Sequence, residues 1–182
     1  MRKFFSILLL TSLFVQNSIT DSIVFNNFNN HGSIGLVNMP TARFYDESTH
    51  GITFYNGNPD TKITFTSFPF NWLEASFFYT NIDDLPYCNN DFDPVCKQDY
   101  KDKGFNFKVR LKEEGVFPAI AIGINDIAGT GLYSSEYVVA SYGRNKTDFH
   151  FGLGWGQLNG SKESFKNPLG KINSSFYDRP QE

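Results

Sequence analysis

Residues 103–112 read Lys-Gly-Phe-Asn-Phe-Lys-Val-Arg-Leu-Lys. In an extended chain Phe105, Phe107, Val109 and Leu111 fall on one side, and Asn106, Lys108, Arg110 and Lys112 on the other, because strand side chains alternate between faces. A soluble sheet with a core behind its apolar face carries the same pattern. So does a strand of a transmembrane β-barrel, in which about ten residues alternate between lipid and a polar interior.

Working outward, seven segments read as strands: residues 51–56, 61–67, 72–80, 104–112, 118–125, 136–142 and 147–156. Ile63 and Phe65 oppose Thr64 and Thr66. Leu73, Ala75, Phe77 and Tyr79 oppose Glu74 and Ser76, with Trp72 and Phe78 blurring the contrast. Ile120, Ile122 and Ile124 oppose Ala119, Ala121 and Gly123, and Phe149, Phe151, Leu153 and Trp155 oppose His150, Gly152, Gly154 and Gly156. Small residues on one face and large apolar ones on the other suit a curved sheet. No amphipathic helical run competes, so the fold class is all-β, an antiparallel meander. Long connections follow the third, fifth and seventh strands and short turns follow the second, fourth and sixth. Outer-membrane barrels likewise have short turns at one end and longer external loops at the other.

The chain begins as an exported protein does. Arg2 and Lys3 precede an apolar run from Phe4 to Val15, and Ser18-Ile19-Thr20 supplies small residues for cleavage before Asp21. The run is too short for a membrane-spanning helix of about 20 residues. Later apolar stretches are too short as well, so residence in a membrane calls for a barrel. Without Arg2 and Lys3 the chain carries 14 basic against 19 acidic residues, a net charge of −5, and no basic stripe marks a nucleic-acid partner. Cys88 and Cys96 are the only cysteines. In an oxidising compartment they are expected to close a small disulfide loop, worth about 2.5 kcal/mol in the chain-entropy picture; two unpaired thiols are the other reading.

Sites for chemistry are scarce. His31, His50 and His150 lack metal-ligand spacing. The adjacent pairs Asp83-Asp84 and Glu113-Glu114 read as solvated turn charges rather than opposed glycosidase carboxylates. Gly129-Thr130-Gly131 has no following Walker lysine. No catalytic, cofactor-binding or metal-binding residues are assigned. The binding candidates are Glu74, Lys108, Arg110 and Lys112, which face a lumen if the apolar side meets lipid, where a basic stripe suits an acidic polysaccharide. Solvated charge is the plainer reading of each. Tyr133, Tyr137 and Tyr142 fit either stacking on sugars or an interfacial girdle.

Several blocks resemble a known family: G-L-V-N-M-P-T-A-R at 35–43, F-P-F-N-W-L-E-A-S-F-F-Y-T-N-I at 68–82, K-D-K-G-F-N-F-K-V-R-L at 101–111, P-A-I-A-I-G-I-N-D-I-A-G-T-G-L-Y-S-S-E-Y-V-V-A-S at 118–141 and G-L-G-W-G at 152–156. In this order they are similar to the YjbH-type exopolysaccharide proteins. The resemblance implies an outer-membrane β-barrel associated with production or export of an extracellular polysaccharide, with outer-membrane lipid, exopolysaccharide and other envelope export proteins as the expected partners; the leading expectation is a non-enzymatic barrel that assists that export. The resemblance also implies members several times longer, many with a lipid-anchor cysteine that is missing here. The expected organisation is a signal peptide at 1–20, a polar segment at 21–32, a barrel portion at 33–160, and a polar segment at 161–182 continuing in a longer homologue. A secreted or periplasmic glycan-binding β-sandwich is the alternative, and an enzyme acting on polysaccharide the third.

Overall fold

The computed structural model describes residues 26–87, 98–159 and 166–177. The expected signal peptide and the pair Cys88 and Cys96 lie outside these residues.

A two-stranded hairpin, β1 (Gly35–Leu36) and β2 (Met39–Pro40), precedes one seven-stranded sheet. Its strands are β3 (Thr49–Asn56), β4 (Asp60–Phe70), β5 (Leu73–Pro86), β6 (Asp99–Lys112), β7 (Ala119–Ile127), β8 (Ser135–Arg144) and β9 (Thr147–Gly156). Each pairs antiparallel with the next in sequence, β3 to β9, as a plain meander. Among the described residues β3 and β9 do not pair with each other, so the sheet is open along both edges. Nor do the described residues hold a second sheet packed on its apolar face, as a sandwich requires. Short 3₁₀ turns follow at Gln157–Asn159, Pro168–Lys171 and Ser174–Phe176.

The seven expected strands all form, several of them longer than alternation alone predicted. The turns explain the tight end of the meander. Arg144 pairs with Thr147, leaving Asn145 and Lys146 as a two-residue loop, and Asn145 adopts a φ of 56°, a region in which asparagine is enriched.

The two faces of the sheet are inverted relative to a soluble protein. Large apolar side chains cover the convex face in the open: Phe54 is 79% exposed, Phe151 72% and Phe105 46%, with Ile52, Ile63, Phe65, Phe77, Ile122 and Leu153 beside them. The concave face carries Lys62, Thr64, Thr66, Glu74, Ser76, Thr80, Asp102, Asn106 and Lys108, and all are buried. Water-soluble sheets bury the apolar face because its transfer from water is the main driving force. Here that driving force does not act on the large apolar side chains of the convex face unless something other than water meets them.

The segment of residues 26–45, which lies in the concavity, buries most of the polar face, and Thr130 and Tyr133 close over its Asp60 and Asp102 end. Residues 33–45 lie against the inner face of the seven-stranded sheet and do not extend it. Ile34, Ala42 and Phe44 pack with Phe68, Ala119, Ala121, Tyr137 and Val139 in one buried cluster. Phe28 and Tyr45 also meet the Phe68 ring, at centroid distances of 6.5 and 5.5 Å. Small residues on the sheet leave the space this segment fills. Gly32, at a φ of 78°, shows how close the approach is, since a Cβ there would sit 2.5 Å from the Thr64 side chain.

Candidate functional site

Alternation in β5 and β6 places Glu74 and Lys108 opposite each other on the concave face. Their ion pair is 2.6 Å long, with side chains 4% and 1% exposed. Two charges so far from water persist only when their remaining valences are met, and the inner segment meets them. Ser33 Oγ donates to Glu74 Oε1, Ile34 N donates to Glu74 Oε2 at 3.4 Å, and Lys108 Nζ donates to Ile34 O at 3.2 Å. The Phe44 ring completes the enclosure, 4.7 Å from Lys108 Nζ and 4.5 Å from the Arg110 guanidinium carbon.

A second anchor fixes the other end of the segment. Arg43 meets Asp148 of β9 through two parallel hydrogen bonds, Nε to Oδ2 at 3.0 Å and Nη2 to Oδ1 at 2.6 Å, the geometry in which guanidinium and carboxylate bind most strongly. Its Nη1 also contacts Glu114. Burial opposes the charge on Arg43, but the bonds from Asp148 and Glu114 outweigh it and hold the guanidinium pKa above its ordinary value. Beside them His150 Nδ1 and Ser141 Oγ are 2.8 Å apart, and Ser141 Oγ accepts from Ala42 N at 2.9 Å. Glu114, expected in solvent, is thus an interior partner; Glu113 does stay exposed, 3.0 Å from Arg110.

A third cluster gathers at the end of the sheet with the longer connections. Lys62 Nζ lies 3.5 Å from Asp60 Oδ2, 3.4 Å from His31 Nδ1 and 3.6 Å from the centre of the Tyr133 ring. Tyr133 Oη donates to Asp60 Oδ2 at 2.7 Å. Burial and then the Lys62 charge push the His31 pKa from 6.5 down to about 4, against the pull of Asp60. A histidine lowered in this way stabilises the fold fully above pH 6.5 and loses that contribution as the pH falls from 6.5 toward 4. The shift corresponds to about 3 kcal/mol. Acid titration of stability in detergent should therefore show a fall across this window that is reduced in His31→Asn, which keeps an acceptor near Lys62; an unchanged fall would exclude His31 as its source.

The residues singled out from sequence divide. Glu74 and Lys108 are joined in the buried pair, and Arg110 lies half-buried beside Phe44. Lys112 departs from the expected face. The register shifts between Arg110 and Lys112, which places Lys112 opposite Ile120, and a bulge of this kind moves a side chain to the other side of a sheet. Lys112 is exposed there, with Nζ 4.3 Å from the centre of the Phe117 ring. Tyr133 and Tyr137 are buried, while Tyr142 stands opposite the exposed Phe149 on the convex face. His50 stacks on Phe65 at 6.0 Å. Sequence reasoning missed Arg43, Asp60, Lys62 and Asp148. Asp60 and Lys62 share the parity of Thr64 and Thr66, and that signal extends the polar face by two positions. Arg43 carries no periodic signal of its own.

These features define a class: an inside-out antiparallel meander, apolar toward the outside and charged within, with its own N-terminal segment seated in the concavity. The chain belongs to the YjbH family, since the family described as "Exopolysaccharide biosynthesis protein YbjH" matches residues 27–182. Over 139 residues the chain is 38% identical to the "Uncharacterized lipoprotein YjbH" of Escherichia coli (strain K12), a match that takes in 76% of this chain and 20% of that relative. The chain thus spans about a fifth of the length of the curated relative it matches. No solved structure matches it significantly.

Proposed function

We propose that this chain forms part of the wall of an outer-membrane β-barrel that assists exopolysaccharide production or export without catalysing a reaction. The inversion of the sheet carries the reading: an exposed apolar convex face over a buried, charged concave face is the arrangement lipid selects and water does not. The strands are 8 to 14 residues long, at or near the length of about 9–11 residues a tilted strand needs to cross the hydrocarbon layer. Exposed aromatic residues stand at both ends of the sheet, Phe70, Trp72 and Phe117 at the short turns and Tyr87 beside the long connection, as interfacial girdles do. The relative's name as a lipoprotein agrees with an envelope location. A wall built for conduction or support, not chemistry, also accounts for a concave face whose charges are tied to one another: Glu74 to Lys108, and Asp148 and Glu114 to Arg43.

The test is extraction. Envelopes from cells expressing the chain are washed with alkaline carbonate, and the chain should stay with the outer-membrane fraction. Release into the wash with the sheet still folded would overturn the barrel reading in favour of a soluble glycan-binding protein.

A further inference from the structure

At the end of the sheet with the longer connections, a cleft of about 450 Å³ opens between the inner segment and the sheet, within the size range of small-molecule sites. Three amide side chains border it: Asn30 and Asn38 from the inner segment, and Gln157 just past β9. An amide carries both donors and an acceptor; Asn30 Nδ2 spends one donor on Asn38 Oδ1 at 2.9 Å, which leaves the Asn38 Nδ2 donors and the Asn30 oxygen for a ligand. Tyr55 supplies a ring face, and Met39 and Leu158 add apolar wall; Tyr133 borders the cleft with its own ring face covered by the Lys62 ammonium. Gly57 makes the Tyr55 position accessible, because a Cβ there would lie 2.0 Å from Tyr55 Oη. At its floor the pair Asp60 and Lys62 is nearly buried, held by Tyr133 and Thr80 as well as by each other.

We infer that this cleft is a binding site for a short stretch of neutral saccharide. Amides that donate and accept at once match hydroxyl groups, which do the same, and a tyrosine ring matches the apolar face of a sugar ring. The charge pattern selects the class further. One ammonium, Lys62, is already paired with Asp60 and feels Asp102 and Asp126 as well, so an anionic ligand meets more negative charge than positive. The basic residues expected to attract an acidic polysaccharide do not reverse this, because Lys108 is paired with Glu74, Arg110 with Glu113, and Lys112 stands beside Phe117 at the short-turn end. Asp60, Tyr133 and Gln157 all adjoin connections at the end of the sheet with the longer loops, the external end in outer-membrane barrels. The inference deepens the proposed function by naming the saccharide class, and it rests on that reading for the choice of saccharide as ligand.

The experiment uses the chain purified from envelopes in detergent, titrated by calorimetry with cellotetraose, chitotetraose and mannotetraose as neutral probes and with tetragalacturonate as the acidic one. At least one neutral tetramer should bind, and tetragalacturonate should bind at least tenfold more weakly. Tyr55→Ala and, independently, Asn38→Ala on the exposed hairpin tip should each weaken the neutral tetramer by about tenfold, whereas Glu47→Ala, away from the cleft, should not. Binding of no neutral tetramer, equal or tighter binding of tetragalacturonate, or indifference to both cleft substitutions in folded protein would overturn the site. A chain that resists carbonate yet binds no tetramer loses the cleft and keeps the barrel; one released by carbonate that still binds loses the barrel and keeps the cleft.

Discussion

Lys108→Met is expected to cost about 3–5 kcal/mol of stability, because it leaves Glu74 charged, buried and without its counter-ion. The carboxylate would keep only Ser33 Oγ and the long bond from Ile34 N. Urea unfolding of the chain in detergent micelles measures this loss. Glu74→Gln combined with Lys108→Met removes both charges and should recover most of it, since a buried pair exchanged for neutral groups of similar size is often close to neutral in stability. If the double variant is as unstable as the single one, the cost comes from lost packing and not from a stranded charge. Sequence alone offered solvated charge as the plainer reading of Lys108, and a solvated lysine is replaceable with little effect. The difference lies in the inner segment, which turns a lumen charge into an enclosed one.

The second large effect lies on the opposite face. Phe105 sits at the centre of β6, on the convex side and about half exposed. In water an arginine at such a surface position changes stability by about 0.5 kcal/mol or less. At the middle of a lipid bilayer it costs about 2–4 kcal/mol, falling to about 0–1 near the interfaces. Phe105→Arg should therefore sharply reduce the amount of folded chain in the outer membrane, while Leu111→Arg, next to Lys112 at the short-turn rim, should insert almost normally. Equal insertion of both variants would remove lipid from the convex face.

How far the sequence revealed this structure depended on whether the signal was periodic. The seven strands were legible because residues such as Phe105 and Asn106, or Ile63 and Thr64, alternate in apolar and polar character with a period of two. The ends of β5 and β6 were not. Their ladder continues through Ile82 opposite Tyr100 and on to Pro86 opposite Asp99, in polar sequence where alternation has faded. Phe78 blurred the pattern for a physical reason, since it points inward against Tyr133, with ring centroids 5.9 Å apart. The change of face at Lys112 was hidden because a bulge leaves no mark on composition. Least legible was the inner segment. Its structure is set by bonds to distant strands, such as Thr66 Oγ1 to Gly32 O at 2.6 Å and Ala42 N to Ser141 Oγ at 2.9 Å, and partners so remote in sequence leave no local period.

The open edges of the meander carry an arithmetic consequence. Strand direction reverses at every connection, so β3 and β9, first and seventh in the sheet, point the same way. Joining them directly would create a parallel seam. A cylinder with only antiparallel neighbours needs an odd number of additional strands between these edges, whichever polypeptide supplies them. Complete hairpins contribute two strands at a time and cannot satisfy that count. A closing set would therefore hold one strand beyond its complete hairpins, as a continuation of the meander supplies when its first new strand pairs with β9 itself.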